Sequence, residues 1–238
     1  MAQIDKPNLH FNTVLYNGNS STQSITGVGF QPDFVWGKAR SGTDAVYNHA
    51  LFDAVRGSNK WLRSNNTNAE VTATNMLTSF DSDGFSLGDD GHMNLNGNAN
   101  VAWNWKANGA GSSNSDGSIT STVSANTTAG FSIVAWNGNS GTVGHGLGVK
   151  PDVIIIKSRQ TANNWVVLHK NLTGGMDTNA LIFNANDAEQ GGGSGMAEPT
   201  SSVFTITGGL AANDNNVAYV FAEKKGYSKF GGYTGNNN

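Results

Sequence analysis

Four aspartates are the residues whose type and spacing come nearest to a metal site. Asp81, Asp83, Asp89 and Asp90 fall in one polar stretch and offer the oxygen ligands that calcium prefers. Their spacing does not match an EF-hand loop, because Gly84 stands at the fourth position and no closing glutamate follows. A plain Asp-Gly turn is therefore the preferred interpretation, and a calcium ion held by a sandwich loop is the alternative.

Tryptophan offers a second kind of binding chemistry, since its flat apolar face and its N–H group suit a sugar ring. Most of the six tryptophans fall in short apolar runs that predict buried strands. Trp61 instead lies in a polar stretch, with Arg63 two residues further on. Trp61 and Arg63 are therefore the best candidates for an exposed ligand contact, against burial of the ring in the core as the plainer interpretation.

Catalytic patterns are missing from the sequence. No two of the five histidines stand two or four residues apart, the chain has no cysteine, and no Gly-x-Ser-x-Gly nucleophile motif occurs. No glutamate stands beside an aromatic strand with a second acid at short spacing, as glycosidase carboxylates often do. We predict a protein that is not an enzyme and that needs no cofactor.

Two pairs of basic residues recur at the same spacing. Lys38 stands two residues before Arg40, and Lys157 stands two residues before Arg159. Residues two apart share one face of a strand, so each pair could bind a sugar or an anion. Solvated charges at a sheet edge are the preferred interpretation.

The composition argues against several classes of partner. Charged residues make up only 13% of the chain and glycine contributes 31 of 238 residues, which fits a sheet protein with many tight turns. The net charge of −3 gives no attraction to nucleic acid or to an anionic membrane, and we expect neither as a partner. No stretch has the pattern of a signal peptide or of a membrane span, so we expect synthesis and assembly in a cytosol.

Short runs rich in β-branched and aromatic residues alternate with Asn-Gly and Asp-Gly turns along the chain. The 3.6-residue periodicity of amphipathic helices is missing. This pattern predicts an all-β protein built from antiparallel sandwiches or jelly rolls.

The chain also repeats itself. Residues 27–40 recur as residues 146–159 with six identities in register, and the neighbouring blocks recur in the same order. We predict two tandem antiparallel β-sandwich domains, at 1–108 and 119–238, joined by a Gly/Ser-rich linker at 109–118. A partial third copy at residues 227–236 predicts a last strand that closes the second domain. The strand that starts at Phe131 could belong to either domain.

Long blocks of the sequence resemble a repeat family found in virion proteins of marine tailed bacteriophages. The blocks are residues 15–19, 25–36, 51–57, 78–88, 101–106 and 226–230. The resemblance covers nearly the whole chain and implies concanavalin-A-like jelly-roll domains with no defined catalytic residues. The second repeat lacks counterparts of the segments 51–57 and 80–84, so the two domains need not share one contact surface.

The resemblance implies a non-enzymatic structural protein of the virion, on the tail or its fibres, made in the host cytoplasm. The expected partners are other virion proteins, further copies of the chain in a homo-oligomer, and host surface glycans. A capsid-decorating protein is the alternative within the same class. A stand-alone carbohydrate-binding lectin module or a glycan hydrolase is the alternative outside it.

Overall fold

A computed structural model of the chain describes residues 4–41, 47–191, 196–208, 213–233 and 235. The described residues are nearly all β, which confirms the predicted fold class of antiparallel β-sandwiches. The helices among them are one 3-10 turn, Pro7–Leu9, and one short α-helix, α1, Gly91–Asn94. In this part of the chain no helix has the length and apolar character needed to span a membrane.

The strands fall into two groups that follow the two sequence repeats. The first group is β1 (Phe11–Asn17), β2 (Gln23–Ile25), β3 (Phe34–Ala39), β4 (Ala50–Asp53), β5 (Gly57–Leu62), β6 (Val71–Thr72), β7 (Leu77–Asp81), β8 (Gly84–Leu87) and β9 (Ala99–Trp105). The second group is β10 (Ser112–Asn114), β11 (Ser121–Asn126), β12 (Phe131–Asn137), β13 (Gly141–Gly144), β14 (Val153–Ser158), β15 (Val166–His169), β16 (Asn179–Ile182), β17 (Gln190–Gly191), β18 (Val203–Ile206) and β19 (Asn215–Phe221).

Both repeats build a large sheet with the same strand order. The first large sheet runs β1-β9-β3-β4-β5-β6, and a small sheet, β2-β8-β7, packs against one of its faces. The second large sheet runs β12-β19-β14-β15-β16-β17, extended by β11 and β10 beside β12, and the pair β13-β18 packs against it. The strand that starts at Phe131 therefore belongs to the second sheet, where β12 pairs with β11 and β19.

A third apolar cluster joins the two large sheets through the faces that their small sheets leave open. Neighbouring residues of one strand serve different clusters, because successive side chains point to opposite faces: Phe34 enters the third cluster and Val35 enters the core of the first repeat. The result is four β layers with three cores between them. The buried members of the third cluster are Phe34, Leu51, Leu62, Ala107, Phe131, Ile133, Trp165, Val217 and Tyr219.

The predicted linker at 109–118 is in part a strand. Within it, β10 pairs with β11 from Ser112 to Asn114 and forms the outer edge of the second large sheet. The sequence suggested a linker because β10 carries only small polar side chains, which an edge strand with solvent on its faces can tolerate.

The predicted C-terminal strand is wrong for the described residues, since β19 is the last strand of the second sheet. After β19 the chain turns, and the Glu223 carboxylate accepts a hydrogen bond from the backbone N–H of Phe230 at 2.7 Å. The Phe230 ring packs against Phe221, with 5.9 Å between ring centroids. This turn, rather than a strand, covers the end of the sheet. Residues 234 and 236 of the predicted strand lie outside the described residues.

Replacing Phe34 with Ala is expected to lower the free energy of unfolding by about 3–5 kcal/mol, because it opens a cavity in the core between the sheets. Phe34 is 1% exposed, and its ring stacks on Tyr219 with 4.2 Å between centroids. Val149→Ala is the matched control: Val149 is 42% exposed, and the change should alter stability by no more than about 0.5 kcal/mol. Urea unfolding of both variants measures the difference, and equal losses would contradict this view of the interface.

Candidate functional site

Trp61 is a core residue, so the prediction of an exposed ligand contact at this position is wrong. The side chain is 6% exposed and packs in the core of the first repeat, and its Nε1–H donates to the carbonyl of His49 at 3.3 Å. The Arg63 guanidinium carbon lies 3.8 Å from the centroid of the Trp61 ring and covers it. Trp61 is thus committed to the core, and Arg63 is committed to the Trp61 ring.

The four aspartates proposed for calcium are held by local hydrogen bonds. Asp83 accepts the backbone N–H groups of Gly29 at 2.6 Å and Gly27 at 3.0 Å, and these two bonds lower the pKa of its carboxyl group. Asp90 caps α1 by accepting the backbone N–H of His92 at 2.9 Å. The remaining two accept side-chain donors: serine hydroxyls at Asp81 and an asparagine amide at Asp89. Among the described residues no three acidic or histidine side chains are placed to hold a metal ion, so the arrangement does not support the calcium site.

The duplicated blocks share a Pro-Asp pair, Pro32-Asp33 and Pro151-Asp152, which has the same structural role in both repeats. One Asp33 carboxylate oxygen accepts the backbone N–H of Ala107 at 2.7 Å, just beyond the end of β9. One Asp152 carboxylate oxygen accepts the backbone N–H of Glu223, also at 2.7 Å, just beyond the end of β19. The motif therefore ties the start of β3 or β14 to the end of its neighbour, which explains its recurrence as a feature of the fold.

A buried charge cluster crosses the space between the repeats. The Arg56 guanidinium bonds the Asp53 carboxylate at 2.5 Å, the Glu70 carboxylate at 2.9 Å and the Tyr219 hydroxyl oxygen at 3.1 Å. The Tyr219 hydroxyl donates to Asp53 at 2.8 Å, and Arg159 bonds both Glu70 oxygens at 2.8 and 2.9 Å. Arg56 and Asp53 have no exposed side-chain surface. Asp53 and Arg56, at the turn between β4 and β5 of the first repeat, are thus bound to Tyr219 of the second repeat. Glu70 of the first repeat is bound to Arg159 of the second.

The electrostatics of this cluster favour the charged forms of Glu70 and Arg56. Burial opposes ionisation of Glu70, but hydrogen bonds and attraction from Arg159 and Arg56 outweigh it and lower the pKa of the Glu70 carboxyl. Burial alone would favour a neutral Arg56, yet Asp53 and the other partners raise its pKa. The sequence did hold a signal for the cluster: the segment 51–57, with Asp53 and Arg56, occurs in only one repeat, as expected for a contact between unlike copies.

Lys157 is buried between the repeats, so its interpretation as a solvated edge charge is wrong. Its side chain shows no exposed surface, and its ammonium donates to the carbonyls of Thr67 at 3.2 Å and Thr161 at 3.3 Å. Burial lowers the pKa of Lys157 to about 8, against the opposing attraction of Asp214. Thr67 belongs to the first repeat, so this lysine adds a further polar link across the interface.

A polar groove of about 320 Å³ opens beside β10 and β11. These two strands are present in the second large sheet and have no counterpart in the first. Val55 of the first repeat forms part of the wall of the groove, and Ala135 and Trp136 lie beneath it. Hydroxyl and amide groups that offer both donors and acceptors line most of it, in a set suited to a polyhydroxyl ligand. The polar lining residues are Ser113, Thr120, Ser121, Thr122, Asn137, Arg159 and Asn215.

The described residues define an all-β protein in which two sandwiches share a buried core and a buried charge cluster. The chain belongs to the DUF7483 family, a domain of unknown function, whose family model matches residues 6–238. No curated protein and no solved structure matches the chain significantly. The family match runs across both repeats without a break, as does the packing between them.

Replacing Arg56 with Met is expected to lower the free energy of unfolding by about 3–5 kcal/mol, because it leaves Asp53 buried without its partner. Lys150→Met is the matched control: it breaks an ion pair with Glu198 whose partners are 53% and 39% exposed, and should cost at most about 1 kcal/mol. Chemical denaturation of both variants gives the comparison. Equal effects would mean that the buried cluster is no stronger than a surface pair.

The contribution of Lys157 to stability should rise with pH between about 8 and 10.5, because Lys157 has a pKa of about 8 in the fold and 10.5 in the unfolded chain. In that window the unfolded chain binds more protons, so the free energy of unfolding grows with pH, by about 2–3 kcal/mol from this group. Lys157→Met should remove this contribution, whereas Lys60→Met should keep it. Denaturation curves at pH 7.5 and 10.5 measure it, and an unchanged difference in Lys157→Met would contradict the assignment.

Proposed function

We propose that the chain is a non-enzymatic structural protein of a tailed-bacteriophage particle, on the tail or its fibres. The sequence resemblance to phage virion repeats supports the setting. The observation that carries the structural role is the joining of the two sandwiches by a buried aromatic core and a buried charge cluster. Domains with small polar interfaces move relative to each other by default, whereas a large apolar interface holds them in one orientation. A fixed orientation is what a building block of a particle requires.

The edges of the large sheets support a role in self-assembly. Three of the four outer strands, β6, β10 and β17, are only two or three residues long, which protects them from pairing with other chains. The fourth, β1, is seven residues long, pairs with β9 in unbroken register, and carries no charged residue and no proline. Its Leu15 is 64% exposed. We propose that β1 pairs with another copy of the chain in a homo-oligomer.

We propose that host surface glycans contact the polar groove. This groove replaces Trp61 and Arg63 as the proposed glycan site. Its hydroxyl and amide lining favours a sugar over an apolar ligand, and Arg159, which is paired with Glu70, forms one side. The same groove is what favours the second candidate function, a carbohydrate-binding lectin module. Within the leading class, a capsid-decorating position is the rival to the tail.

The experiment that tests the leading function is mass spectrometry and cryo-electron microscopy of purified particles. The chain should be present in many copies, with contacts between copies of itself on the tail, its fibres or the head. A chain that is absent from particles but binds glycans, and loses that binding in Asn137→Ala, would establish the lectin module instead. Release of sugars by the purified chain would establish an enzyme.

Self-assembly through β1 has its own test. The purified chain should sediment as an oligomer, and Leu15→Lys should shift it toward the monomer, because a charge on this edge opposes strand pairing. Thr72→Lys, on the short outer strand β6, is the matched control and should sediment like the parent chain. A parent chain that is monomeric at every concentration, with no self-contact in particles, would contradict the proposal.

A further inference from the structure

An aromatic cleft opens at one end of the core between the large sheets. It has a volume of about 320 Å³ and lies where β1 and β12 begin and where β9 and β19 end. Rings from the first repeat, the second repeat and the C-terminal turn form its walls. These rings belong to Phe11, Trp105, Phe131, Phe221, Tyr227 and Phe230.

The walls of the cleft are held by direct ring contacts. Phe11 lies 4.8 Å from Trp105 and Phe131 lies 4.9 Å from Phe221, centroid to centroid. The third wall, at Phe230, is fixed by the hydrogen bond from its backbone N–H to Glu223. A pre-formed apolar space of this size is at the lower end of the range found for small-molecule sites. The remaining lining is mostly aliphatic, so an apolar group of a ligand would meet few polar atoms.

Lysines surround the cleft in a chain whose net charge is −3. Lys106 directly follows Trp105, and the Lys224 side chain runs beside Gly130, where an added Cβ would lie 3.0 Å from its Cε atom. Lys225 and Lys229 line an adjoining polar hollow of about 600 Å³, which shares Tyr227 and Ser228 with the cleft.

Two of the acids that the structure describes at this end, Asp152 and Glu223, are paired with lysines. Lys170 bonds Asp152 at 3.0 Å and Glu223 at 2.5 Å, and Lys229 bonds the second Glu223 oxygen at 3.1 Å. Hydrogen bonds from Lys170 and from the backbone of Phe230 lower the pKa of Glu223 to about 2. Among the described residues at this end, five lysines outnumber the three carboxylates of Asp33, Asp152 and Glu223, so the mouth of the cleft attracts anions.

We propose that the aromatic cleft binds a small amphiphilic anion, with its hydrocarbon body among the rings and its carboxylate or phosphate head group at the lysines. The apolar walls select the body and the lysines select the sign of the head group. The occupant is a single molecule taken from solution, because the space is enclosed on three sides by the two repeats and the C-terminal turn. This site goes beyond the proposed role in the particle and does not rest on it.

Isothermal titration calorimetry with three ligands that share a twelve-carbon body tests the site. Dodecanoate should bind with a stoichiometry of one below its micellar concentration. Dodecyl maltoside, with a neutral head, should bind about three- to tenfold more weakly, and dodecyltrimethylammonium more weakly still. Equal affinity for all three, or no saturable binding of dodecanoate, would overturn the proposal. Binding only to vesicles of phosphatidylglycerol would overturn it as well, since the occupant would then be a membrane.

Two variants separate the cleft from the rest of the surface. Ile155→Phe adds atoms to the floor of the cleft and should abolish dodecanoate binding, whereas Val71→Phe on the exposed outer strand β6 should leave it unchanged. The surface double variant Lys225→Gln/Lys229→Gln should weaken dodecanoate about three- to tenfold and leave dodecyl maltoside unchanged. Unchanged dodecanoate binding in both cleft variants would overturn the site. Loss of self-association in Ile155→Phe without ligand would instead assign the cleft to a second copy.

Discussion

The burial of the Arg56 charge between the repeats is the constraint on which the architecture depends. Burying an isolated charge costs several kcal/mol of folding free energy. Arg56 can therefore be buried between the repeats only when its partners are in position. Asp53 and Glu70 come from the first repeat, while the Tyr219 hydroxyl and Arg159 come from the second. The cluster therefore fixes the register of one sandwich on the other, while the surrounding rings supply most of the apolar burial.

Other polar links repeat this pattern around the aromatic core. The indole N–H of Trp165 donates to the carbonyl of Arg63 at 2.7 Å, and the backbone N–H of Glu70 donates to the carbonyl of Arg159 at 2.7 Å. Each satisfies a group that the closing of the interface would otherwise leave without a partner. Because apolar packing and directional bonds act at the same surface, the two repeats behave as one body. The polar groove and the aromatic cleft both form at the margins of the interface between the repeats.

The features of the fold that depend on local sequence patterns could be predicted from the sequence. Asn-Gly turns, β-branched runs and the duplicated blocks were enough for the fold class and for two copies of one strand order. Trp61 was misjudged because its polar neighbours on β5 lie at half-exposed positions while the ring itself turns inward. The buried Lys157 and the aromatic cleft depend on how one repeat lies on the other, and no pattern within a single strand reports that arrangement.

Native-state hydrogen exchange in increasing denaturant tests most directly whether the repeats form one body. The amides of the central strands β9 and β19 lie in different large sheets and are the ones expected to open only on global unfolding. We predict that both sets exchange with the same free energy of opening, equal to that of global unfolding. Two separate values, with β9 and β19 differing by several kcal/mol, would contradict the account.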